Sequence, residues 1–207
     1  MSKKTSGYKK QPSPAQSKPS PWGRRFAIAG GAGVVLALVA IVIFSKPPPS
    51  GVPEGTETLA VAAPQHVTGD IHPEGDVPAG GPHDPVWQNC GFYDTPVRTE
   101  NAVHSLEHGT VWITYVPDVA GNQIDKLRDF TRRGDKVLVS PVPDQATPIM
   151  VTAWANQLEL DDAGDQRLEQ FVNEFESSHS APEPRASCQG GVGTPSADDG
   201  VLSRFGR

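Results

Sequence analysis

An uncharged apolar run of 19 residues, FAIAGGAGVVLALVAIVIF from Phe26 to Phe44, divides this chain into two unequal parts. At a rise of about 1.5 Å per residue the run just crosses a hydrocarbon core of roughly 30 Å, so it reads as one transmembrane helix. Before it stand Lys3, Lys4, Lys9, Lys10, Lys18, Arg24 and Arg25, with no acidic residue. That asymmetry keeps residues 1–25 in the cytoplasm, as a tail whose Pro, Ser and Gln content reads as disordered. A cleaved signal peptide is the competing reading. Its apolar core is shorter, about 7 to 15 residues, with cleavage close behind. The nearest small-x-small site, Ala60-Val61-Ala62, lies well past the run and past Pro47-Pro48-Pro49, which favours a retained anchor. The expected location is therefore the cell membrane, single-pass, with everything after Lys46 outside.

Charge is distributed to match. Eight of the 18 Lys and Arg lie in residues 1–46, leaving 10 against all 24 acidic residues in the outer part. So acidic an outer surface excludes a nucleic-acid partner. The partners that remain are the lipid bilayer, against which the basic tail can lie, and a protein of the cell envelope. Residues 45–64, rich in Pro, Gly and Thr, read as a spacer, and residues 65–190 as a single folded domain. Residues 191–207 read as a flexible tail. The two cysteines, Cys90 and Cys188, both fall on the outer side, where a disulfide between them is the first expectation. A role for Cys90 as a metal ligand is the alternative.

The expected fold is α/β in the α+β sense, a short mixed sheet with two or three covering helices and a long ordered N-terminal loop. Gly, Pro and Asp crowd the stretch from Gln65 to Thr95, which reads as loop wrapped over a core. Thr95 and Pro96 mark a helix start and Gly109 its stop. Thr110 to Val116, β-branched and aromatic, reads as a buried strand. Ile124, Leu127 and Phe130 mark a helix face ending at Gly134, and Lys136 to Ser140 a second strand parallel to the first. Pro148 to Trp154 reads as a third strand, paired antiparallel with the second. Leu168, Phe171, Val172 and Phe175 form the stripe of a last helix, capped by Asp162 or Asp165. The chain beyond Ser178 is expected to be mobile apart from Cys188.

Chemistry concentrates in E-N-A-V-H-S-L-E-H-G, Glu100 to Gly109. Glu100, His104, Glu107 and His108 share one helical face, and two imidazoles beside two carboxylates suit a divalent metal or an acid/base pair. His104 and His108 at four-residue spacing can chelate one ion, with His83 arriving from the loop. Glu107 can complete the shell, and Glu100 can serve in the second shell or as an acid/base group. Zinc and copper both suit such donors. His66 and His72 read as loop residues.

Several motifs carry a resemblance to a known family. They are G-P-H at Gly81 to His83, W-x-x-C-G-x-Y at Trp87 to Tyr93, V-H-S-L-E-H-G at Val103 to Gly109, S-P at Ser140, A-W at Ala153, and A-P-E-P with the later cysteine at Ala181 to Cys188. On them the outer domain resembles a bacterial family of membrane-anchored or exported proteins catalogued as a domain of unknown function, number 3105. The resemblance implies no known activity. One departure precedes His83: relatives have P-P-T-S-G-P-H, this chain Val77-Pro78-Ala79-Gly80-Gly81-Pro82-His83, without the hydroxyls. If those only turn the loop, glycines replace them.

His104 to His108 also spells H-x-x-E-H, the inverted zinc-protease motif. A helix cut short at Gly109 and a domain of modest size argue against a peptidase. Ser105 lacks the sharp turn that exposes a nucleophile. The choice left open is between a metal-binding protein and a non-catalytic envelope scaffold whose His and Glu side chains merely satisfy one another and the backbone.

Overall fold

The computed structural model describes residues 50–196. The expected cytoplasmic tail 1–25 and transmembrane helix 26–44 lie outside these residues. Among those described, no helix is long and apolar enough to cross a membrane.

The strand expected after Gly109 is Val111–Tyr115 (β5), and all five of its residues are buried. It follows four short strands, Glu57–Thr58 (β1), Gln65–His66 (β2), Pro82–His83 (β3) and Gly91–Phe92 (β4), and the helix Thr99–Glu107 (α1). Beyond it come helix Gly121–Arg133 (α2), strands Val137–Pro141 (β6), Ile149–Ala153 (β7) and Asn156–Leu160 (β8), and helix Gln166–Phe175 (α3). Six strands make one mixed sheet in the order β1-β8-β7-β5-β6-β4, while β2 and β3 pair separately. β5 and β6 are parallel and joined through α2, as their spacing in the chain requires.

β7 corrects one expectation. It pairs antiparallel with β5, with Ile113 opposite Val151, and not with β6. The far side of β6 is occupied by β4, which the long loop supplies in parallel. β8 was not anticipated. Its sequence NQLEL lacks a β-branched residue, and it is held as a strand by five-pair register with β7. The turn between them is Trp154-Ala155, with Ala155 at φ 61°.

Period-two alternation gives the sheet two apolar faces. Val111, Ile113 and Tyr115 join Leu127 and Phe130 of α2 and Leu168, Phe171, Val172 and Phe175 of α3 on one side. Trp112 and Leu138 face the other way, against Ala102, Val103 and Leu106 of α1. Trp112 is wholly buried, and its indole N–H donates to Ser140 Oγ at 2.9 Å, which satisfies the one polar atom it carries inside. Asp165 caps α3 by accepting from Arg167 N at 2.9 Å, one of the two caps expected.

The start of α1 also differs. Helical geometry begins at Thr99, with Arg98 at the N-cap and no side-chain cap. Arg98 instead reaches out to Asp70, Asp84, Glu100 and the Gly69 carbonyl, so the helix start is fixed by cross-loop pairs that no local signal encodes. The end is as expected. Gly109 has φ 82°, and a Cβ there would sit 3.1 Å from Ser177 Cα and 3.3 Å from Pro184 Cα. Gly109→Ala combines left-handed strain with this crowding and is expected to cost about 1–3 kcal/mol, read as a lower urea midpoint at unchanged m-value.

The segment after Ser178 is not loose as far as Ser196. Glu183 N–H donates to Glu107 O at 2.9 Å, Val192 N–H to Trp87 O at 2.9 Å and Ser196 N–H to Phe92 O at 2.8 Å. The expected flexible tail from residue 191 is therefore tied down for its first six residues. These bonds satisfy backbone groups of other elements, which a composition of Pro, Gly and Ser does not foretell.

Candidate metal centre

α1 is enclosed all round: Glu100 through Glu107 are buried, and its sequence TENAVHSLE is mostly polar. A buried polar helix must have its groups answered individually. At the C-terminal end they are. His104 O and Leu106 O take the N–H groups of His108 and Gly109, Glu107 O that of Glu183, and His108 O the ammonium of Lys136 at 2.8 Å. The same ammonium donates to Pro184 O at 2.7 Å, clamping the C-terminal strap to the helix end.

With the apolar residues facing the sheet, His104 and Glu107 turn the other way, toward β2 and β3. Parallel pairing of those strands puts His66 opposite His83. One donor atom from each of His66, His83, His104 and Glu107 falls within 4.8 Å of the others. Glu107 Oε2 lies 2.9 Å from His83 Nε2 and 3.9 Å from the Nε2 atoms of both His104 and His66. Ligands about 2.0–2.1 Å from a tetrahedral ion lie roughly 3.3 Å apart, so these separations bracket what a shell requires. His108 adjoins the group through His104, Nε2 to Nε2 at 3.1 Å, and its own Nε2 is 3.8 Å from Glu183 Oε2.

The hydrogen bonds behind the rings set their tautomers. His83 Nδ1 lies 2.8 Å from Gly81 O, His104 Nδ1 2.6 Å from Asp84 O, and His108 Nδ1 2.8 Å from Ser187 O. A carbonyl only accepts, so each Nδ1 carries a proton, and the tautomer this selects presents its lone pair at Nε2. In the buried space His104 Nε2 then faces His108 Nε2 at 3.1 Å, and His83 Nε2 faces Glu107 Oε2 at 2.9 Å. His83 Nε2, on a side chain with no exposure, has no hydrogen-bond partner despite its nearness to Glu107. Facing lone pairs repel unless a proton or a cation lies between them.

A proton is a poor answer here. Burial pushes the His104 imidazole down to about 4; the Asp84 carbonyl opposes the shift, while His108, His83 and His66 reinforce it. His108 is lowered by burial as well, against the Ser187 carbonyl and the carboxylates of Glu183 and Glu107. At neutral pH these two rings are uncharged, and the cluster could hold a divalent cation between its donors.

Trp87 and Trp154 wall the site. The Trp87 ring lies 4.9 Å from that of His108, and Trp154 meets His83 edge-on at 6.2 Å. Gly80, at φ 143°, lets the loop before His83 lie on Trp154, since a Cβ there would be 3.1 Å from the indole. That supports a turning role for the loop before His83.

Of the residues singled out by sequence, His83, His104 and Glu107 come together and His108 lies beside them. Glu100 does not join. Its Oε1 accepts from the N–H groups of Ile71 and His72 at 2.8 and 3.1 Å, and its Oε2 is 3.3 Å from Arg98. Burial raises its carboxyl pKa, but these donors overcome that and hold it below the usual range. Glu100 therefore fastens the loop that carries His72 and is not available to an ion. His72 points elsewhere too, with Nε2 3.2 Å from Pro82 O. His66, read from sequence as a loop residue, is the addition. Only its long-range pairing with β3 brings it to the site, and nothing local signals that. Cys90 and Cys188 form the expected disulfide, which excludes Cys90 as a ligand.

No curated protein and no solved structure matches the chain. A family described as "Protein of unknown function (DUF3105)" matches over residues 66–190, a stretch that begins at His66 and includes Cys188. That match takes in more than half of the chain and every donor of the site, and the protein belongs to the DUF3105 family.

Proposed function

We propose that this protein is a membrane-anchored, extracytoplasmic binder of a divalent transition-metal ion, Zn2+ or Cu2+. His83, His104 and Glu107 form the heart of the site, with His108 beside His104 and the exposed His66 at its edge. The observation that carries the reading is that three buried rings each commit Nδ1 to a backbone carbonyl and turn Nε2 toward another donor of the cluster. That backing of the distal nitrogen is how ligating histidines are held. A purely structural cluster would be expected to satisfy its own Nε2 atoms, and His83 Nε2 is unsatisfied. Imidazole-rich donors favour zinc and copper over magnesium or calcium. The apolar run at residues 26–44 and the basic tail before it support anchoring with the domain outside.

Elemental analysis tests the reading on full chain purified in detergent without chelator or histidine tag. About one equivalent of zinc or copper is expected, falling at least tenfold in His83→Ala and His104→Ala. Metal-free protein that takes up neither ion on titration would refute it, and would leave an envelope scaffold as the reading.

A further inference from the structure

Four donors lie within 4.8 Å of one another, His66, His83, His104 and Glu107, with His108 in reserve 3.1 Å behind His104, and His66 differs in kind from the rest. The side chains of His83, His104, His108 and Glu107 are 0, 6, 5 and 8% exposed, whereas that of His66 is 56% exposed. The buried rings are each locked by a carbonyl at Nδ1. Neither ring nitrogen of His66 has a hydrogen bond among the described residues. Its position is set by a two-residue ladder with β3 and by its ring, stacked on His104 at 5.0 Å and edge-on to His83 at 5.1 Å. A ligand that is wet, untethered and in ring contact with two buried ligands has the attributes of an entry point.

We infer that His66 is the exchange ligand of this centre, the imidazole through which a labile divalent ion enters and leaves the buried donors. The ion is then cargo to be passed on. The inference rests on the metal-binding reading above and adds direction to it. On entry, His66 Nε2 forms a bond to the hydrated ion as one bound water leaves. His83, His104 and Glu107 displace further waters. His108 Nε2, 3.1 Å from His104 Nε2, then replaces His66, whose bond to the metal breaks. No electron is transferred, and the Nδ1 protons of the three backed rings stay in place. Release is the same sequence reversed, with an outside ligand in the place of water. The acidic rim residue Glu183, 61% exposed and beside His108, adds local attraction for a cation.

The test uses full chain in detergent with Zn2+ delivered from, and withdrawn by, a chromophoric chelator in a stopped-flow instrument, beside an equilibrium competition titration. In His66→Ala, loading and release are both expected to slow by about tenfold or more, with a far smaller loss of affinity than in His83→Ala. His83→Ala is expected to lose affinity instead. The inference is overturned if His66→Ala weakens affinity as His83→Ala does and speeds release, which makes His66 an ordinary ligand. It is equally overturned if His66→Ala changes neither rate. Wild-type protein that binds no Zn2+ defeats the metal reading itself, a result distinct from either.

Discussion

Replacing Cys90 and Cys188 together with serine is expected to lower the unfolding free energy by about 4 kcal/mol and to weaken metal binding at the same time. The bridge spans a sequence separation of 98 with Cα atoms 5.5 Å apart, so in a chain-entropy account its main effect is on the unfolded ensemble. The native fold has other ties across the same gap. Gln88 bridges to Val192, Cys90 N–H donates to Cys188 O at 3.0 Å, and Lys136 holds Pro184, so the double variant keeps its architecture. Metal affinity falls because Ser187, adjacent to Cys188, then holds the carbonyl that orients His108 less firmly. Loss of such backing for a ligand typically costs about 10- to 100-fold. Urea denaturation at fixed pH and Zn2+ competition report the two effects separately. A midpoint unchanged from wild type would show that the bridge does not restrict the unfolded ensemble as the chain-entropy account requires.

Where sequence and structure agree, the signal is local. β5 is a run of residues suited to a buried strand, the stripe of α3 repeats at helical spacing behind Asp165, and Gly109 ends α1 as only a residue tolerant of φ 82° can. Where they part, the cause is at a distance. β7 chose β5 over β6 because β4, two residues of an otherwise irregular loop, already lies along β6. Arg98 starts α1 through partners up to 29 residues away in the chain. The site divides in the same way. His104, Glu107 and His108 are set by helix period and were legible, whereas His66 and the diversion of Glu100 to Ile71 and His72 depend on how one loop folds back on another. A glutamate four residues before a histidine looks like a ligand in sequence. Its actual partners are backbone amides that carry no sequence signature.

Acid is expected to destabilise the metal-free domain well above the range in which its carboxylates titrate. His104 is held down to about 4, chiefly by burial, while an unfolded chain protonates histidine near 6.5. Between those values the unfolded state binds the extra proton, so stability rises with pH across the window and is lost as pH falls from about 6.5 toward 4. At the lower end the loss from His104 alone approaches about 3 kcal/mol, and His108, lowered in the same sense, adds to it. The depressed carboxyls act elsewhere. Asp84, Glu100 and Asp165 contribute stability that is fully present above their unfolded values, near 4, and lost only below them. A fall in unfolding free energy between pH 7 and pH 5 is therefore assignable to imidazole. Zn2+ at 100 times its dissociation constant should restore about 2.7 kcal/mol, because it binds the neutral rings of the native state. His104→Gln should make the metal-free profile shallower in this window, since the larger of the two imidazole contributions is gone and that of His108 remains. Urea titrations at pH 7, 6 and 5, with and without Zn2+, give the comparison. A metal-free wild-type curve that is flat from pH 7 to 5 would mean that His104 is not a buried neutral ring, and the lone pair it offers to an ion would lose its support.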